Sequence, residues 1–517
     1  MVTAAPPRTS LAWIVGLGTV ASTGVAIGAT RAGPIPGVSL PDGPLGLWRA
    51  ATDGRDVFAL VSVVAIAALL LAFVRLYGLA ARGAIDVRGA AVAAAWWSVP
   101  VLLTQPLLSL DAYSYLAQGQ MVAAGLNPYA GGPVLLGDGP LLDAVAPIWR
   151  ATPAPYGPLS LAILHGLAEL TGANHVPFVL LLRLVAVASV VACTVSAVRL
   201  AKPGAGAVAV VLVAANPVVV LHLIGGVHLD ALLAALAAFV LLAVRRRWWW
   251  LAALAAAVAF AVKLPGAVLV GYVLLARLRG GGPRRVAGAA GILAVTVLAA
   301  VACAALVPDG WGWAGVMDTP GKVRLLYAAP TLVGGGLYVL GSALGADVPF
   351  ADILRWARFA CGLAGAVTIG SMLLRAGEEP SWRRAGALVG GALVVLAMAA
   401  PVIHAWYVSW GLALLAACAG AVAQRWTVVL SVAVCFAALP DPLTRMPGGV
   451  VVVLVLLVTV VGVTARSLLR PGATARYLGP VGRPLRTRVS QRDAAATPPR
   501  LTAATSVHTP TIRSEKP

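Results

Sequence analysis

One apolar run after another, each close to the length that crosses a bilayer, leaves this chain few ways to fold. A helix spanning the hydrocarbon core needs about 20 apolar residues, and runs of that kind recur from Leu11 to the neighbourhood of residue 467. Of the 517 residues 60% are hydrophobic and only 11% charged, with a mean hydropathy of +0.92. No water-soluble core uses that much apolar surface, so the fold class is an all-α polytopic membrane helix bundle. The runs predict about 13–14 transmembrane helices, near 11–30, 57–76, 89–109, 177–198, 206–224, 227–244, 249–262, 264–278, 286–307, 353–374, 385–402, 405–424, 427–440 and 448–467. Segments 158–172 and 331–345 are too short or too polar to count and are read as re-entrant or interfacial. The first run lacks a small-residue cleavage site before a soluble domain and is read as a retained helix.

The formal charge of +20 would suit a nucleic-acid binder, but its placement argues against one. The cations gather in short loops, as in Arg245-Arg246-Arg247, Arg284-Arg285 and Arg383-Arg384, and again beyond Arg466. That is the positive-inside pattern of a membrane protein. Putting those loops in the cytoplasm leaves both termini inside and the 110–157 loop outside. Gly225–Asp230, the 308–330 loop and the His404–Tyr407 turn also fall outside. Residues 1–468 therefore read as one transmembrane domain, and 469–517, rich in Pro, Thr, Ala and Arg, as a disordered basic cytoplasmic tail. The five cysteines lie within apolar runs without CxxC spacing and read as small buried side chains. No repeat of fixed period is visible, and no GxxxxGK[ST] run is present.

Polar groups stand out against this background. Asp111 opens the large loop where a span emerges; it is either a general base at the membrane surface or the N-cap of the helix DAYSYLAQGQMVAAG. Around it are Tyr113, Tyr115, Gln118, Asn127, Tyr129, Trp149 and Tyr156, which read as a sugar-binding set or as an aromatic belt. On a helix, 111, 115 and 118 share one face. His222, His228 and Asp230 lie in NPVVVLHLIGGVHLD at an outer hairpin end; they lack metal-ligand spacing, so they read as substrate contacts or as a satisfied turn. Lys263, Arg183, Arg324 and Arg355 are cations at outer ends. Lys263 best suits a lipid phosphate, its alternative being a snorkelling side chain. His404, Trp406, Tyr407 and Trp410 in PVIHAWYVSW form either a binding rim or an aromatic anchor.

Taken in order, DAYSYLAQGQ, GLNPY, IWRATPAPYGPLSL, NPVVVLHLIGGVHLDAL, Lys263-Leu-Pro and HAWYVSW resemble the actinobacterial polyprenol-phosphomannose-dependent α-1,6-mannosyltransferases, across roughly residues 90 to 440. Those are integral membrane glycosyltransferases of the GT-C class. The resemblance implies a large first extracytoplasmic catalytic loop with Asp111 as the catalytic carboxylate. It implies a polyprenyl-phosphate mannose donor, a lipid-linked mannan acceptor and inversion at the anomeric carbon. The product would be the α-1,6-mannan backbone of lipomannan and lipoarabinomannan in the cell envelope, built at the outer face of the plasma membrane. Substrate contacts are then expected from Tyr113, Tyr115, Gln118, Asn127, Tyr129, Trp149, Arg150, Tyr156, His222, His228, Asp230, Lys263, Arg324, His404, Trp406 and Tyr407. Many GT-C enzymes show an acidic pair early in this loop, whereas Asp111 is followed by Ala112. No metal or other cofactor is expected; the partners are the donor, the acceptor and membrane lipids. Rival readings are another lipid-phosphosugar transferase, arabinofuranosyl or protein O-mannosyl, and a lipid-linked sugar flippase or transporter. The transporter would need polar groups spread through mid-membrane positions.

Overall fold

The computed structural model describes residues 8–316, 319–322, 325, 328–436 and 449–469. Arg324 lies outside these, as do the tail beyond residue 469 and the end of the expected 427–440 span. Residues Met1–Gly479 form one compact unit; Pro480–Pro517, a second, lies wholly outside the described residues. Among the described residues the secondary structure is helical, with no strand.

The helices are α1 (Arg8–Ala32), α2 (Arg55–Ala81), α3 (Val87–Ser98), α4 (Asp111–Ala123), α5 (Pro158–Leu170), α6 (His175–Leu200), α7 (Gly206–Val213), α8 (Asp230–Arg245) and α9 (Trp249–Val262). They continue with α10 (Gly266–Leu278), α11 (Pro283–Ala304), α12 (Ala329–Ala343), α13 (Phe350–Glu378), α14 (Trp382–Ala399), α15 (Ser409–Cys418), α16 (Ala421–Val434) and α17 (Gly449–Leu469). Their ends follow local chemistry. The Asp86 carboxylate accepts from Gly89 N at the start of α3, and Asn174 Oδ1 accepts from Val176 N at the start of α6. Proline occupies the first turn of α5, α11 and α12, where its missing N–H costs nothing.

Six described helices are long and apolar enough to cross a membrane, and seven if the bent pair Val219–Gly225 and Asp230–Arg245 is one span. The expected 13–14 spans differ from this because several are short or interrupted. α9 and α10 have 14 and 13 residues, and the expected 206–224 span is broken into α7 and a π-helical turn, Val219–Gly225. Pro217 cannot donate to the helix ladder there. Asn216 takes over: its Oδ1 accepts from Val218 N, and its Nδ2 donates to Leu212 O and to Ser431 Oγ of α16.

Outward surfaces confirm the lipid setting. On α13 the side chains of Phe359, Val367 and Leu363 are more than half exposed, as is Leu298 on α11. In water such patches would associate; against acyl chains they are the ordinary surface of a spanning helix. Two hydrophobic clusters fill the interior. The larger joins α1–α3, α6–α10 and α14–α16, and the smaller packs α4, α5 and the start of α6 with Trp48, Tyr129, Val227 and Trp313. The smaller cluster fastens the 110–157 loop to the bundle. Of the five cysteines, Cys193, Cys418 and Cys435 are buried and Cys303 and Cys361 half-buried, all as free thiols.

Candidate active site

The π-helical turn and α8 meet at a bend of 114°. Unwound backbone at such depth leaves carbonyls without partners, and each must be satisfied inside the protein. Arg183 of α6, 2% exposed, does this. Its guanidinium donates to the carbonyls of Ile224 and Gly225 on one side and of Leu102, Thr104 and Gln105 on the other, at 2.7–3.4 Å. Arg183, read from the sequence as a cation at an outer helix end, is therefore a clamp that fixes the bend. At its apex Val227 has φ 63°. A β-branched residue avoids that region, and holding it there costs about 1–3 kcal/mol. The bend presents His228 and Asp230 from one short segment.

His228 is 1% exposed and its ring stacks on the Trp406 indole at 3.6 Å between centroids. His404 stacks on the same indole at 4.5 Å and His222 lies tilted against it at 5.9 Å. Both ring nitrogens of His222 and Nε2 of His228 are buried without a hydrogen-bond partner. A buried polar group left so costs about 1–3 kcal/mol, and hydroxyl groups of a ligand are the kind of partner that would offset it. His228 Nδ1 lies 3.4 Å from the Tyr115 hydroxyl and 3.8 Å from Asp111 Oδ2.

Asp230, 1% exposed, accepts at one oxygen from Lys263 Nζ at 2.9 Å and from Trp410 Nε1 at 2.7 Å. Lys263 caps α9 in an extended conformation, which directs it away from the helix axis. Its ammonium also faces the rings of Tyr407, Trp410 and Tyr156 at 4.5, 5.3 and 5.7 Å. Tyr156 in turn meets Tyr115 edge-to-face at 5.1 Å. Cation–π contacts in a desolvated setting are worth about 2 kcal/mol, so the ammonium is held by charge and by aromatic faces together.

Asp111 is the first residue of α4. The N-cap is Leu110 and no side chain caps the helix, so Asp111 does not act as the cap. With Trp149, Ser109 and Gln105 it lines a cavity of about 220 Å³. Drug-sized pockets hold about 300–1,000 Å³, so this one has room for a small polar group. Burial pushes the Asp111 carboxyl up to about 6; Lys263 pulls against this, Asp230 adds to it, and hydrogen bonds from Ser109 and Trp149 favour the ionised form. A base that ionises near neutral pH is well matched to proton transfer.

Asp111, Tyr115, Tyr156, His222, His228, Asp230, Lys263, His404, Trp406 and Tyr407 thus come together, with Trp410 among them. Trp149 lies at the cavity beside Asp111. The other expected contacts are elsewhere. Tyr113 is buried against His175, and Gln118 is buried with its Oε1 unpartnered. Asn127 donates to Asp309 and caps the Tyr129 N–H, and the Tyr129 hydroxyl donates to Tyr156 O. Arg150 donates to the carbonyls of Val145, Gly37 and Asp143. Asn127, Tyr129 and Arg150 thus build the loop. Arg355 pairs with Asp352 on an exposed face. Among the described residues, no three His, Cys, Asp or Glu side chains are grouped as metal ligands.

Gly157 and Ser160 were not singled out by their residue type, although the Pro-Tyr-Gly-Pro turn marks the place. Gly157 N and Ser160 Oγ both donate to Val262 O, tying the loop to the end of α9 beside Lys263. A Cβ at 157 would collide with the Ala261 carbonyl oxygen. Gly157→Ala is expected to lower stability by about 1–3 kcal/mol, as overpacking does, and to lower turnover by displacing Lys263. Thermal unfolding of the purified variant measures the first; unchanged turnover would separate the turn from the site.

A family model described as Alpha-(1->6)-mannopyranosyltransferase, N-terminal domain, matches residues 15–279, and one described as MptB C-terminal domain matches residues 330–469. The chain is 32% identical to a probable alpha-(1->6)-mannopyranosyltransferase of Mycolicibacterium smegmatis over 62% of this chain and 63% of that protein. It is 30% identical to alpha-(1->6)-mannopyranosyltransferase B of Corynebacterium glutamicum over 85% of this chain and 78% of that one. It is also 30% identical to alpha-(1->6)-mannopyranosyltransferase A of Mycobacterium tuberculosis over 62% and 63%. The matched region thus spans just under two thirds of the Mycolicibacterium and Mycobacterium proteins. No solved structure matches the chain. The cluster draws on both matched segments: Asp111 to Lys263 on the first, His404 to Trp410 on the second.

Proposed function

The chain belongs to the alpha-(1->6)-mannopyranosyltransferase family, and from that premise we propose that it transfers mannose from polyprenyl-phosphate mannose to the 6-hydroxyl of a growing α-1,6-mannan, with inversion, at the outer face of the plasma membrane. The observation that carries this reading is the Asp111 carboxylate. It is poised near neutrality at a small cavity and stands beside a cluster in which a lysine is held among aromatic rings. In the proposed step Asp111 takes the proton of the acceptor 6-hydroxyl. The freed oxygen attacks the anomeric carbon of the donor from the face opposite the phosphate. The bond from that carbon to the phosphate oxygen breaks, and polyprenyl phosphate leaves with the electron pair. A lysine ammonium has three donors; Asp230 takes one, and the others suit the charge growing on the leaving phosphate. The Trp406 indole and its histidines suit sugar C–H faces and hydroxyls.

The test is transfer from synthetic polyprenyl-phosphate mannose to an α-1,6-oligomannoside by purified protein. Movement of the lipid across vesicles without a new glycosidic bond would favour a transporter instead. The pH profile carries a second expectation. Asp111 must be ionised to act, so kcat/KM is expected to fall as pH drops through about 6. Trp149 favours the ionised form, so Trp149→Phe should move that limb to higher pH. An acid limb unmoved in the variant would detach it from Asp111.

The outward orientation of the 110–157 loop is separately accessible. Asp138 is exposed on it, and a cysteine there is expected to react with a membrane-impermeant maleimide in cells whose outer barrier alone is permeabilised. Labelling that needs a broken inner membrane would reverse the topology and remove the proposed site from the outer face.

A further inference from the structure

Helices α8, α9 and α10 pack side by side, and each has one end at the cluster just described: Asp230 opens α8, Lys263 follows α9, and α10 begins three residues later. Their other ends bound a second cavity, of about 630 Å³. At about 1.5 Å per residue, the 16 residues of α8 separate the two by about 24 Å. Arg245, Arg247, Arg277, Arg279 and Arg285 line this cavity. Among the described residues Glu379 is the one acidic side chain lining it, and its carboxylate accepts from Ser381 N. Among the described residues none of the five arginines has a carboxylate oxygen within 4.0 Å.

Positive-inside bias explains arginines in these loops, but it does not explain their convergence on one concavity. Nor does it explain how they are held. The Arg245 guanidinium lies 4.2 Å from the Trp382 ring centre and that of Arg277 5.7 Å from Trp249. Arg245 donates to Arg199 O, Arg277 to Arg284 O and Arg279 to the Glu379 carbonyl. Gly280, at φ +80°, turns the chain so that Arg285 lies against it; a Cβ there would meet Arg285 Nη1 at 2.7 Å. Each guanidinium has five N–H donors in a fixed fork that fits phosphate, and these contacts use few of them.

We propose that this cavity is a phosphate-binding site, at the far end of the helices that carry the active site, for a phosphate group borne either by a membrane lipid headgroup or by a free anion. Basic pockets between membrane helices take phosphorylated headgroups in this way, and the volume is within the range of about 300–1,000 Å³ that accommodates a small ligand.

Full-length protein in phosphatidylcholine nanodiscs distinguishes the two sources. Thermal midpoint and bound ligand, read by native mass spectrometry, are followed with a minor fraction of cardiolipin and, separately, with inorganic phosphate. A rise with cardiolipin alone assigns a lipid phosphate; a rise with inorganic phosphate alone assigns a free anion. In either case Arg245→Gln/Arg285→Gln is expected to weaken binding about tenfold or more, since two charge-assisted contacts are lost. The single Arg285→Gln variant, on an exposed side chain, should show a smaller loss and answers the question if the double variant does not fold. No response to either probe, or the same response in the variants as in the parent, would overturn the site.

Discussion

Asp111→Asn is expected to lower mannosyl transfer by about 10²–10⁴-fold, the usual effect of removing a general base, while the protein stays folded. The amide matches the carboxylate in size. Asp111 caps no helix, and burial already disfavours its charged form, so a neutral side chain takes nothing from the fold. The thermal midpoint of the purified variant should stay close to the parent's. Turnover near the parental level would remove Asp111 from the chemistry.

The second large effect is structural. Asp230 and Lys263 form an ion pair whose carboxylate is 1% and ammonium side chain 14% exposed. Removing one partner of a buried pair leaves the other uncompensated and costs about 3–5 kcal/mol. Asp230→Ala and Lys263→Met are each expected to destabilise by that order. Trp410 Nε1, which donates to the same oxygen, adds to the loss in the first. The double variant, with both charges gone, should be far more stable than the sum of the singles implies. Unfolding of all three in one detergent gives the coupling directly; additive losses would show that the pair contributes little. The double variant is also the better probe of donor binding, because in Lys263→Met alone a buried carboxylate has lost its partner.

The groups that meet at the centre were visible in the sequence because polar side chains are costly in an apolar chain and seldom occur there without a partner or a purpose. Asp111, His228, Asp230, Lys263 and the HAWYVSW segment stood out for that reason. Their pairing was not visible. Asp230 finds Lys263 33 residues away, across a helical hairpin, and Trp410 180 residues away; nothing local encodes either. The i, i+2 spacing of His228 and Asp230 concealed a bend in which one faces Tyr115 and Asp111 and the other faces Lys263. Val227 gave no hint of that bend, because a β-branched residue argues against positive φ. Arg183, Asn127 and Arg150 look like ligand-binding side chains by type, yet they are spent on carbonyls and turns that a three-dimensional fold leaves open. The long helices were legible from hydropathy alone; the short ones were not, since adjacent runs divided by a proline or glycine resemble full spans until packing shows where each stops.

Those short helices have a consequence for depth. α9 and α10, of 14 and 13 residues, rise about 20 Å at 1.5 Å per residue, while the hydrocarbon layer is about 30 Å thick. With their arginine ends level with one headgroup layer, the Asp230–Lys263 pair falls about 6–10 Å short of the opposite one, by the rise of α8 and of α9 respectively. That hydrophobic mismatch leaves two resolutions: the bilayer thins around this part of the protein, or the pair lies at the floor of a recess below the surrounding lipid surface. In either geometry a long-chain phosphate would be drawn toward the mid-plane to reach the lysine, and the thickness of the host bilayer becomes a variable that sets how readily it gets there.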